Sequence, residues 1–159
     1  MATGVAPDPR FGPAVFGQYS WASAPLSARL TLLHLLDAHS DRDPAGQSVS
    51  LSAARLEGCH RGWGQELVRV FPCVGVAGGW LRTEGAVSRS SVATSAWWEG
   101  GLFAHLQLRL TTRVWIDGQG GLVAPFRRYR FAFENPYTVV YETPAVAAAA
   151  GIGLGGRIP

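Results

Sequence analysis

The feature that most restricts this chain is a period-two pattern over residues 102–116. Ala104, Leu106, Leu108, Leu110, Val114 and Ile116 take alternate positions, and His105, Gln107, Arg109, Thr111 and Arg113 take those between. Successive side chains of a strand point to opposite faces, so a repeat of two predicts a half-buried antiparallel strand. Alternation of core against water places the leucine set inward and the His105–Arg109 set outward. Asp117-Gly118-Gln119-Gly120-Gly121 then reads as a turn, because Gly adopts positive φ without a steric penalty. The return strand runs over 122–134, with Tyr129, Phe131 and Phe133 on one face and Arg128, Arg130 and Glu134 on the other. A shorter strand over 138–142 comes after the Asn135-Pro136 turn.

A lone hairpin is marginal in water, so this one needs a cover. Residues 23–39 predict a helix that supplies it. Ser23 fits the N-cap, Pro25 fits the first turn, and Leu26, Leu30 and Leu33 keep helical spacing, with Leu32 and Leu35 widening the face. A second, short helix is predicted over 50–58. Residues 65–71 fit either a helical turn or a strand; strand is favoured from Val68, with Pro72 ending it. Gly75, Gly78 and Gly79 predict a bent or bulged strand over 74–83. Residues 86–98 predict a strand of small side chains. The expected fold is therefore α+β: an N-terminal helix packed on a curved, mainly antiparallel sheet of about five strands.

Both ends read as arms. Pro7, Pro9 and Pro13 exclude a regular helix near the start, and Gly151, Gly153, Gly155 and Gly156 loosen the end. The expected organisation is an extended arm over 1–20, one domain over 21–143 and a flexible tail over 144–159.

With 159 residues, 47% of them hydrophobic, a single globular domain is expected. Arginine supplies all 14 basic residues against 11 acids, and the net charge of +3 lies entirely within residues 101–159. That bias falls short of the basic stripe of a dedicated nucleic-acid binder. The lack of lysine fits either a GC-rich coding sequence or a preference for forked, bidentate contacts. Cys59 and Cys73 form no CxxC and read as buried or free thiols in a reducing compartment. No apolar run reaches membrane-spanning length and no signal peptide is visible, so the expected setting is intracellular or within a particle assembled there, with no membrane partner.

No reactive signature stands out. His34 and His39 are five apart, which suits no zinc pair on a helix, and Cys59-His60 is adjacent, so no metal is expected. No phosphate-cradling loop and no nucleophile elbow occur, so no cofactor is expected. His105 and Arg109 share one strand face. Lining a cavity, they could orient a polar ligand or serve acid–base chemistry; facing solvent, they form a wetted strand surface. The first functional expectation is a non-enzymatic assembly subunit of a virion, phage particle or similar multi-copy complex. It would contact copies of itself or other subunits through Phe11, Phe16, Tyr19, Arg128, Arg130, Ile152 and Leu154. The second is a small-ligand-binding protein or a cyclase- or isomerase-type enzyme with a cavity between helix and sheet. The third is an RNA-binding or host-interaction protein.

Overall fold

The computed structural model describes residues 11–35, 48–85, 91–127, 130–134 and 137–156. No helix occurs among them. The chain runs through β1 (Ala14–Ser20), β2 (Leu26–Leu35), β3 (Ser48–His60), β4 (Trp63–Gly64), β5 (Val68–Gly85), β6 (Ser91–Arg109), β7 (Val114–Pro125), β8 (Arg130–Glu134), β9 (Tyr137–Glu142) and β10 (Ala147–Gly156). Seven strands form one antiparallel path in the order β1-β2-β3-β5-β6-β7-β10; β4 pairs with β5, and β8 with β9 form a separate hairpin.

The expected α+β class is therefore wrong. The predicted helix over 23–39 is strand β2 as far as the described residues go. Its leucines fit both spacings, but Ser27, Arg29 and Thr31 alternate with Leu26, Leu30 and Leu32, and that period of two decides the conformation. The predicted helix over 50–58 lies inside β3, paired along its length with β2 and β5. The residues read as arms contribute strands: β1 pairs with β2 and β10 pairs with β7. Pro72 does not end a strand. It sits within β5 opposite Ala104, and the register holds through Gly75, Gly78 and Gly79 without a bulge.

The Asp117–Gly121 turn is also corrected, because those residues lie inside β7. The chain reverses earlier, over 110–113. Thr111 Oγ1 accepts hydrogen bonds from the backbone N–H of Arg113 (3.2 Å) and Val114 (3.0 Å), and Leu110 N–H donates to Val114 O (2.9 Å). A threonine hydroxyl held against two backbone donors closes a turn as well as Asp-Gly would.

The sheet curls until opposite walls meet. Arg29 on β2 reaches Asp117 on β7, Arg55 on β3 reaches Gln119 on β7, and Gln107 on β6 reaches Gln18 on β1. The strands thus surround a lumen. One end has tight connections, Ser20 to Leu26 and Arg109 to Val114. The opposite, wide end carries three connections, over 36–47, 86–90 and 126–146, the last including the β8–β9 hairpin.

The two faces are reversed relative to expectation. Leu102 is 67% exposed, Leu106 and Leu110 are exposed, and Phe103 and His105 are buried. Alternation reveals that two faces differ; it does not say which one meets the interior. Two small apolar clusters occupy the lumen: Leu35, Leu51, Ala53, Leu81 and Trp97 near the wide end, and Phe71, Phe103, Val123 and Ala147 around Cys59 and Cys73. Those two cysteines are directly opposed on β3 and β5 and form a disulfide, which corrects the expectation of free thiols.

Candidate functional site: a buried ionic cluster

Beside the two apolar clusters the lumen is charged. β2 contributes Arg29, β3 contributes Arg55 and Glu57, β6 contributes His105 and Gln107, and β7 contributes Asp117 and Gln119. Each is on the inward set of its strand. Glu57 is 0% exposed, His105 1% and Asp117 2%. Charges taken this far from water persist only when compensated.

The compensation is explicit. Arg29 grips Asp117 with a two-pronged guanidinium fork, Nη1 to Oδ2 at 2.9 Å and Nη2 to Oδ1 at 2.8 Å. Gln107 Nε2 donates to Asp117 Oδ2 at 3.0 Å. Arg55 Nη2 donates to Gln119 Oε1 at 2.7 Å, and its Nε lies 3.2 Å from Glu57 Oε1. The guanidinium of Arg29 stacks 3.6 Å above the Phe16 ring, and that of Arg55 lies 4.3 Å above Phe103. Such stacking suits the weakly hydrated guanidinium.

His105 joins the two carboxylates. Its Nδ1 is 3.4 Å from Asp117 Oδ1 and its Nε2 is 3.2 Å from Glu57 Oε2. Glu57 is held by proximity of charge rather than by aligned bonds: both its oxygens lie beside cationic groups, but none of those contacts has hydrogen-bond geometry. Room for the Glu57 side chain comes from Gly75 on β5, where a Cβ would sit 2.8 Å from Glu57 Cγ.

These contacts set the electrostatics. Burial pulls the His105 pKa down, but its contacts with Asp117 and Glu57 outweigh that and the nearby Arg29, so the net shift is upward. Burial pushes Asp117 up, yet His105, Arg29 and Gln107 together bring it to about 2. Arg29 and Arg55 thus face Asp117 and Glu57, with His105 set between the two acidic side chains. Glu99, near Arg55, is raised by burial, although the Trp97 indole donates to it at 3.1 Å.

An open cavity of about 1680 Å³ borders the cluster and extends to both ends of the sheet. Arg29, Arg55, Asp117, Gln107 and Gln119 line it, with His105 and Glu57 behind them. The two residues singled out from sequence thus separate. His105 is at the centre of the cluster. Arg109 is exposed at the tight-turn rim, its Nε donating to Thr111 O at 3.2 Å.

The residues expected to make subunit contacts scatter. Phe16 lies under Arg29 inside the lumen. Phe11 and Tyr19 are exposed, as are Ile152 (85%) and Leu154 on β10. Arg128 and the side chain of Arg130 lie outside the described residues; the Arg130 backbone pairs with Glu142. Sequence reasoning missed Arg29, Arg55, Glu57 and Asp117. The available signal was their place on the alternating set of each strand, as in Arg55-Leu56-Glu57. The chain matches no protein-family model, no curated protein and no solved structure.

Proposed function

We propose that this chain forms the wall of a transmembrane β-barrel of the outer-membrane type, with a polar lumen lined by the ionic cluster. The observation that carries this reading is the outward face. Along β5 the outward positions from Val68 to Trp80 are Val68, Val70, Pro72, Val74, Val76, Gly78 and Trp80, and the first charge above them is Arg82. Along β6 the outward positions from Ala96 to Leu108 are likewise free of charge. Apolar side chains outward and polar side chains inward is the reverse of a water-soluble sheet and the pattern of a lipid-facing barrel.

The dimensions agree. Twelve steps from Val68 to Trp80 at about 3.3 Å, tilted by roughly 40°, span about 30 Å, close to the apolar band of such barrels. Exposed aromatics mark both borders: Trp80 and Trp98 towards the wide end, Tyr19, Trp21 and Trp63 at the tight-turn end. Aromatic rings favour the membrane–water boundary. Two of the three connections at the wide end, 36–47 and 126–146, are longer than any at the other, which also suits a barrel inserted with one orientation. The Cys59–Cys73 disulfide fits an oxidising compartment.

No helix among the described residues is long and apolar enough to cross a membrane, but a strand needs no such run. The assembly-subunit expectation shares the need to cover an apolar surface. Here, though, the apolar band runs over consecutive strands around the lumen, which lipid covers more simply than protein partners would. The small-ligand reading keeps its cavity but leaves the outward face unexplained.

The test is reconstitution of the full chain into phosphatidylcholine vesicles with bromine-labelled acyl chains. Trp80 and Trp98 fluorescence, isolated by Trp-to-Phe substitution elsewhere, is expected to be quenched strongly. A protein that stays monodisperse in buffer, with tryptophan emission indifferent to the brominated lipid, would refute the proposal.

A further inference from the structure

We propose that the gap between β1 and β10 is a docking slot for one β-strand of a separate polypeptide, with acidic residues just ahead of that strand. The lining of the cavity locates the slot. Between Ser27 and Leu35 on β2, and between Trp115 and Pro125 on β7, only odd-numbered residues border the cavity, as expected of a lumen that meets one face of each strand. On β1 every residue from Ala14 to Ser20 borders it, and on β10 every residue from Ala149 to Gly156. A strand shows consecutive residues to a void only along its edge. The cavity therefore runs out of the lumen between these two strands, which end the path of the sheet.

An edge strand presents a row of backbone donors and acceptors ready for another strand. One edge of Ala14–Ser20 is taken by β2, and one edge of Gly151–Gly156 by β7. The other edge of each has no strand beside it among the described residues. β1 and β10 run the same way, so a single strand of the opposite sense makes antiparallel bonds to both. Gly151–Gly156 sets its reach at about six residues, roughly 20 Å, an ordinary strand length. An open edge does not persist in lipid, so the barrel reading makes occupation of the slot obligatory. The slot itself does not depend on that reading.

The walls specify the side chains. Outside, Val15 and Tyr19 on β1 and Ile152 and Leu154 on β10 are all exposed, so the outward residues of the incoming strand are apolar. Inside, β10 offers glycines. The side chains of Gln119 and Trp115 lie where a Cβ at Gly151 or Gly155 would be, but nothing lies within 4 Å of one at Gly153, so an inward side chain has room there. Trp115 Nε1 is buried without a hydrogen-bond partner, which favours an acceptor such as threonine on that inward face. Charge marks one end. A strand running opposite to β1 and β10 has its N-terminal end at the tight turns. There Arg61, Arg69 and Arg109 border the cavity, with Glu66 offsetting one of them. That surplus of guanidinium charge suits acidic residues leading into the strand.

The test uses the full chain folded in detergent micelles and a synthetic peptide carrying Asp-Asp-Glu ahead of three Val-Thr repeats. Backbone hydrogen exchange is followed by mass spectrometry with and without the peptide. The expected result is exchange about tenfold slower over both 14–20 and 151–156. The effect should disappear when a proline interrupts the repeats, because proline cannot donate to the ladder. Slowing at neither segment, or at one alone, overturns the proposal. Equal slowing by a peptide headed with three arginines overturns the acidic assignment. Slowing that needs no peptide and grows with protein concentration gives the slot to a second copy and overturns the separate partner. No bilayer is involved, so unquenched tryptophans in brominated lipid would sink the barrel reading alone, and unprotected edges would sink the slot alone.

Discussion

The two faces of β6 carry opposite chemistries on one backbone. Leu102, Ala104 and Leu106 look outward with no charged neighbour along the strand; Phe103, His105 and Gln107 look inward onto guanidinium and carboxylate groups. In a water-soluble sandwich the same alternation would place leucines in the core and histidine in solvent. The difference teaches that stability on the two sides has different sources. Inside, charges far from water hold one another by proximity. Outside, the side chains contribute only when something apolar surrounds them.

The sharpest way to break the comparison is to unbalance the inner face. Asp117→Asn leaves the Arg29 fork and His105 without their shared carboxylate, and removing one partner of a buried pair is expected to cost about 3–5 kcal/mol. Denaturant titration in micelles measures this, and a loss below about 1 kcal/mol would show that the cluster is wetter than its burial implies. The outer face is probed by Leu102→Arg. In lipid vesicles it should lower the stability of the inserted form by about 2–4 kcal/mol. A strand facing water would tolerate the change within about 0.5 kcal/mol, so this substitution separates the two environments directly.

Removing the Cys59–Cys73 link by double alanine substitution is expected to cost about 2–3 kcal/mol, the size associated with closing a short loop, seen as a shift in denaturation midpoint. The smallest effect belongs to the turn. Thr111→Ala frees two backbone donors that are already near solvent, and the expected loss is about 1 kcal/mol. Acid adds a further handle on the inner face. Because Asp117 is held at about 2, its contribution is complete above the ordinary carboxylate range and is lost only as pH falls towards that value. A stability profile that falls well above the ordinary carboxylate range would contradict it.

Much of this architecture is legible in the sequence as strands and little of it as a wall. The repeat of two in 102–109 identifies β6, and Tyr137–Glu142 is close to its expected limits. The helix expected over 23–39 fails because leucines at 26, 30, 32, 33 and 35 satisfy both helical and strand spacing. The deciding residues are the polar ones between them, Ser27, Arg29 and Thr31. Asp117-Gly118 has the composition of a turn, yet Asp117 lies in step with Trp115 and Gln119 on β7. The disulfide depends on the β3–β5 register, which nothing local specifies. The ionic cluster is out of reach for the same reason, since Arg29 and Asp117 meet across 88 positions. His105 stands out in the sequence for its chemistry but falls on the wrong side of the sheet, because a pattern of alternation is symmetric under exchange of inside and outside.

The strand order has one more implication. β1 descends from the wide end to the tight-turn end, and so does β10, because the path between them crosses an odd number of strands. Two flanks that point the same way cannot zip to each other with antiparallel bonding, however far the sheet bends. Nor can a second copy in the same orientation supply the match, since its flanks descend as well. A seamless antiparallel cylinder built on this wall must interpose an odd number of strands, the first and last of them ascending, bringing the total to an even count.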